Sequence, residues 1–116
     1  MRRLLQGDVG SGKTVVALSA MLLAAENSCQ SILMAPTEIL AEQHERTLRR
    51  LLSGLPVSCE LIQGGQGSRE RREILERLAS GKSLIAVGPH ALLNEKVAFR
   101  RLGLLVVDEQ HPVGVL

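Results

Sequence analysis

The sequence predicts an α/β fold: a three-layer sandwich around a mostly parallel sheet. Three observations carry that expectation. Short runs of Val, Ile and Leu alternate with helical stretches along the chain. The strand runs are continuously apolar instead of strictly alternating, which suits strands covered on both faces. Between the first strand run and the first helix, "GDVGSGKT" at residues 7–14 has the spacing of a phosphate-binding turn. At 116 residues the chain is at most one domain, and 45% apolar with 22% charged content suffices for a packed core.

Taken in order, "RLLQ" (3–6) predicts a short strand, and "GKTVVALSAMLLAAEN" (12–27), apolar on nearly all sides, a buried helix. "SILMA" (31–35) is the next strand, closed by Pro36. Residues 38–52 form an amphipathic helix with Leu40, His44, Leu48 and Leu51 on one face; Glu42, Glu45, Arg46, Arg49 and Arg50 lie mostly opposite, and Thr37 is its N-cap. "VSCELI" (57–62) is a strand and "QGGQG" (63–67) a loop. Ser68 caps a charged helix that runs to about Ser80 and ends at Gly81, with Glu73 and Arg77 as an i,i+4 pair on a solvated face. "SLIAVG" (83–88) is a strand, "ALLNE" (91–95) a helical turn or more, and "GLLVVDE" (103–109) the last strand. The strand–helix–strand alternation implies right-handed crossovers.

Composition narrows the function classes. Cys29 and Cys59 are too few for a disulfide framework and lack metal-ligand spacing, so they read as reduced thiols. No apolar run reaches the ~18 residues of a membrane span, and no signal peptide is visible; a soluble, cytoplasmic protein is expected. The net charge of +2 permits a phosphate-bearing partner. Phe99 is the single aromatic residue, which argues against a base-stacking platform.

The loop explains itself residue by residue. Gly7, Gly10 and Gly12 let the backbone curl, so that the N–H groups of the stretch Asp8, Val9, Gly10, Ser11 and Gly12 turn inward toward phosphate oxygens. Lys13 places a positive charge on the β- and γ-phosphates, Thr14 offers a hydroxyl to Mg²⁺, and the helix that begins here adds its positive end. The motif alone does not separate kinases, GTPases and motors. "LLVVDE" helps: Asp108 would hold Mg²⁺ together with Thr14, and Glu109 would orient and deprotonate the attacking water. The second acid favours ATP hydrolysis over transfer to a substrate hydroxyl.

The string "DEQH" resembles those that mark the motor domains of superfamily 2 helicases and translocases. By that likeness Gln110 and His111 lie between nucleotide and nucleic acid and couple the two sites; His111 read alone is equally a surface residue. "RLLQGDVGSGKTVVAL", "MAPTEILAEQH", "RREILERLASG" and "LGLLVVDEQH" make the resemblance closer. Over essentially its whole length the chain resembles the first RecA-like motor domain of the RecG family of DNA helicases. The resemblance implies an ATP-dependent enzyme that uses ATP and Mg²⁺ and remodels branched or duplex DNA through backbone contacts, without sequence preference. It implies that Pro36, Thr37 and Glu38 face the DNA track, that Gly64 falls in a turn near DNA, and that His90 is a DNA-contact candidate. The local alternatives are a strand-to-helix cap for Thr37 and a structural role for His90.

Three positions depart from the family pattern. Pro89 stands where the family has Thr, and Pro112 and Val113 where it has Arg-Phe, which bears on coupling more than on ATP binding. By the resemblance, residues 1–116 run from Walker A to Walker B, and the fold is incomplete at its C-terminus. A strand that related motors place between the phosphate-loop and Walker B strands is missing, so those two strands either leave a gap or pair directly. The second motor domain and the wedge domain are missing partners as well. The function classes left open are part of an ATP-driven DNA helicase, a non-catalytic remnant that at most binds nucleotide, and, more weakly, a fragment of a DExH RNA motor.

Overall fold

The computed structural model describes residues 3–7, 13–93 and 97–108, with 3–7 and 13–15 described by their backbone alone. Its elements are β1 (Arg3–Gly7), α1 (Lys13–Glu26), β2 (Gln30–Ala35), α2 (Glu38–Leu51), β3 (Cys59–Leu61), α3 (Ser68–Ser80), β4 (Ile85–Pro89) and β5 (Leu102–Asp108). The strands form one sheet in the order β1-β5-β2-β4-β3, and every described pairing is parallel. β1 and β5 pair directly, from Arg3 opposite Leu104 to Gly7 opposite Asp108.

The strands have two buried faces because each strand residue alternates sides. Leu33, Ala35, Ile85, Val87, Leu104 and Val106 pack under α1 and α2 through Ala17, Met21, Ala41 and Leu48. Ile32, Ile62 and Ala86 pack on the other face against Ile74 and Leu78 of α3. Helices on both faces of a parallel sheet make the expected three-layer sandwich. At Gly88 the layers come too close for a side chain: a Cβ there would lie 2.9 Å from the Ile62 carbonyl oxygen.

Several local expectations change. α1 is not buried all round; Ala17 and Met21 reach the sheet, while Val16 and Leu23 are 64% and 61% exposed, because a helix on one face of a sheet buries a single stripe. On α2 the inward stripe is Ala41, His44, Glu45 and Leu48. Glu45 turns inward because Arg49, one turn on, closes over its carboxylate. Leu51 is exposed, and Leu52, one turn beyond Leu48, takes its place in the core.

Thr37 caps α2 as expected, its Oγ1 accepting from the Leu40 N–H at 3.2 Å. Ser68 does not cap α3. It is the first helical residue, and the cap is Gly67, whose carbonyl accepts the first helical bond from Arg71 N. Gly81 ends α3 at φ +87°, a left-handed cap that glycine adopts without strain. Residues 90–92 form a turn tied to the Pro89 carbonyl through the N–H groups of Leu92 and Leu93; residues 94–96 lie outside the described residues.

Arg77 does not pair with Glu73. It makes a two-pronged bond to Glu60, Nε at 2.6 Å and Nη2 at 3.1 Å, while Glu73 stands 3.8 Å from Arg69. A planar guanidinium matched to a carboxylate on the neighbouring strand outcompetes a loose contact along the helix. Arg71 is likewise fixed, donating to Gln66 and to the Gln63 carbonyl. α3 is therefore solvated on only part of its outer face.

Candidate active site

In a parallel sheet all carboxyl ends lie on one rim, where α/β proteins place their ligands. Here that rim carries Gly7 from β1, Asp108 from β5, Pro36–Glu38 after β2, Gly64 after β3 and His90 after β4. The register sets Gly7, the first residue of the glycine-rich motif, opposite Asp108, and α1 begins at Lys13. Asp8, Val9, Gly10, Ser11 and Gly12 lie outside the described residues, as do Glu109, Gln110, His111, Pro112 and Val113. Of Lys13 and Thr14 only the backbone, in the first turn of α1, is described.

Asp108 follows Leu104 and Val106 on the face beneath α1 and α2, and its side chain is fully buried. Its Oδ2 accepts a hydrogen bond from Nε2 of His44 at 2.7 Å. A carboxylate accepts, so this imidazole nitrogen carries the proton. His44 is a polar residue on the buried stripe of α2, between Ala41 and Leu48. Its link to Asp108 was not foreseen. A signal was present, because a histidine placed among inward-facing apolar residues needs a buried partner.

The residues expected to contact DNA gather at the carboxyl ends of β2, β3 and β4. Glu38 Oε2 accepts from the Gly64 N–H at 3.1 Å, and the His90 N–H donates to the Ala35 carbonyl at 3.0 Å. Thr37, Glu38, Gly64 and His90 are all exposed. Pro89 is the last residue of β4, buried opposite Ala35.

Away from this rim, Glu60 and Cys59 are held within the fold. Burial pushes the Glu60 carboxyl up, but hydrogen bonds from Arg77 and Ser83 and the guanidinium charges outweigh it and hold it below its usual value. The Cys59 thiol is pushed up to about 12 by burial and by the Glu45 and Glu60 carboxylates, which leaves it unreactive.

The donor chemistry fits Mg²⁺. That ion takes one or two carboxylates and leaves its other positions to phosphate oxygens and water. Asp108 supplies a carboxylate beside the strand that enters the loop. Among the described residues no cluster of His, Cys, Asp and Glu suggests a richer cage.

A parallel sheet between two helical layers, with the sequence GDVGSGKT after its first strand and a carboxylate in register one strand away, is the pattern of a phosphate-loop nucleotide-binding domain. The family model for DEAD/DEAH box helicases matches residues 2–115, and the chain belongs to that family. It is 51% identical over 115 residues to the ATP-dependent DNA helicase RecG of Synechocystis sp. and 50% identical to that of Streptococcus pneumoniae. Those matches cover 99% of this chain but 14% and 17% of the relatives, so the chain spans about a sixth of their length. A solved structure of RecG bound to a three-way DNA junction superposes with a TM-score of 0.83 at 44% identity, covering 100% of this chain and 16% of that one. Among the described residues no helix is long and apolar enough to cross a membrane.

Proposed function

We propose that residues 1–116 are the Walker A to Walker B part of the first motor domain of an ATP-dependent DNA helicase, a cytoplasmic enzyme that acts on branched DNA and couples ATP hydrolysis to duplex remodelling. The observation that carries this reading is the register that brings buried Asp108 alongside Gly7 at the mouth of the GDVGSGKT loop. The likeness to RecG, including the junction-bound structure, supports the choice of DNA as partner.

In this reading the amides of residues 8–12 and the start of α1 hold the phosphates, and Lys13 neutralises their charge. Thr14 and Asp108 hold Mg²⁺, which supplies charge compensation at the phosphates when bound. Glu109 orients the attacking water and takes its proton. Gln110 and His111 sit between this site and the nucleic acid. Pro36, Thr37, Glu38, Gly64 and His90 lie along the DNA side. Their contacts are to the backbone, so binding falls with salt and ignores sequence.

The test is nucleotide binding by the purified chain with and without Lys13→Ala. The wild type should bind Mg–ATP, and Lys13→Ala should weaken binding by roughly ten- to a hundredfold, the usual worth of a hydrogen bond to a charged group. Equal binding by both would remove the loop from its role. The isolated chain should not turn ATP over, because an arginine supplied by a partner domain typically contributes on the order of 10³–10⁵ in rate to phosphate-loop enzymes.

A further inference from the structure

We infer that His44 is a positioning residue for the metal-binding carboxylate: the buried Nε2–H···Oδ2 bond from α2 fixes the direction in which Asp108 presents its oxygens to Mg²⁺. The inference rests on the nucleotide reading above and adds to it a residue from outside the phosphate loop and the DEQH string.

Three features of the structure combine. Both side chains are withdrawn from solvent, 10% and 0% accessible, so water does not compete for the bond. The 2.7 Å separation is that of a charge-assisted hydrogen bond, stronger than one between neutral groups. The bonded carboxylate stands at the end of β5, in register with Gly7, the first residue of the glycine-rich motif. A carboxylate turns readily about its last torsion. With Oδ2 anchored, that freedom is lost and the other oxygen has a set heading. A histidine serving packing alone would do as well over any polar group. This one meets the acid that the strand register places next to the loop.

The same helix begins at Thr37 and Glu38, six residues before His44, or roughly 9 Å along the axis at ~1.5 Å per residue. α2 is thus a stiff rod with one end on the proposed DNA side and its second turn on the metal ligand.

The experiment titrates Mg²⁺ into the purified chain with a fluorescent ATP analogue and compares wild type, His44→Leu, His44→Gln and His44→Asn. Gln carries an amide N–H about as far out as Nε2, whereas Asn falls short of Asp108. His44→Leu and His44→Asn should raise the Mg²⁺ midpoint by roughly tenfold or more, the usual effect of losing a partner that orients a metal ligand. His44→Gln should recover most of that loss. Affinity for the analogue in EDTA should be unchanged in all of them, because metal-free binding uses the loop alone. Thermal melting shows whether each variant is folded; if His44→Leu is not, the Gln–Asn pair carries the same contrast. Equal midpoints across the folded variants would overturn the inference and leave the nucleotide reading standing. So would a loss of affinity of the same size with and without Mg²⁺, the mark of a purely structural role. A wild type that binds no nucleotide under any condition would overturn the nucleotide reading and this inference with it.

Discussion

At the amino ends of the strands, Gln30 donates to the carbonyls of Leu78 at 2.7 Å and Ser83 at 2.9 Å and accepts from the Arg101 N–H at 2.8 Å. Nearby, Glu60 is gripped by Arg77 and Ser83. At the carboxyl ends Asp108 is equally buried, and the imidazole of His44 donates to it from α2. Glu38, on the same rim, makes an exposed bond to the Gly64 amide, one that a phosphate oxygen is able to replace. The difference teaches how to read buried polarity. A side chain bonded on all sides by its own fold is holding that fold together. One that the strand register sets at the carboxyl rim, opposite the first glycine of the motif, lies where α/β proteins place their ligands.

Changes at the two rims should therefore fail in different assays. The largest effect expected is at the carboxyl rim. In the full-length protein Glu109→Gln should cut ATP turnover by about 10²- to 10⁴-fold with nucleotide affinity and melting temperature retained, since a general base acts on the attacking water alone. Steady-state turnover and binding measured side by side decide this; unchanged turnover would take Glu109 out of the chemistry. At the amino rim the loss should appear as stability. Gln30→Ala removes two buried hydrogen bonds and one part-buried one and should cost about 3 kcal/mol in urea unfolding, leaving nucleotide affinity intact while the protein is folded.

Glu60→Gln sharpens the contrast through pH. Its carboxyl lies below the usual 4.5 in the fold, so the stability it contributes is present above about pH 4.5 and is lost as pH falls through the folded value. The Gln variant should lose about 1 kcal/mol at pH 7 and show less acid destabilisation than wild type in urea titrations at pH 7 and pH 4. Identical acid loss in both would mean that other carboxylates dominate. The smallest effect is expected for Arg69→Ala. Its contact with Glu73 is 3.8 Å long and its side chain 90% exposed, so stability should change by less than about 0.5 kcal/mol.

Much of this was legible in the sequence because it is local. Apolar runs located the strands, and Thr37 and Gly81 marked helix ends at the positions observed. What escaped depends on residues far apart in the chain. His44 and Asp108 are 64 positions apart, and nothing in their spacing says that they meet. Glu73 seemed the natural mate of Arg77 because helical periodicity favours near neighbours, whereas Glu60, 17 positions back on β3, offers better geometry. Glu45 reads as a surface acid by its charge and is buried because Arg49 neutralises it in place. Asp108 stood out in the sequence as the acid at the end of a strand, whereas its bond to His44 did not.

The strand order also governs timing during synthesis. β1 is made before the other described strands, yet its described neighbour in the sheet, β5, is made after them. By the time Pro89 has emerged, β2, β4 and β3 are complete and free to pair. β5 ends roughly 19 residues later, about one to four seconds at ~5–20 residues per second. Through that interval β2 shows an unpaired edge, and β1 waits at the far end of the longest loop closure among the described strand pairs. Among the described strands β1 and β5 are therefore the last to come together, so a nascent chain arrested before Leu102 carries the GDVGSGKT motif without Asp108 beside Gly7.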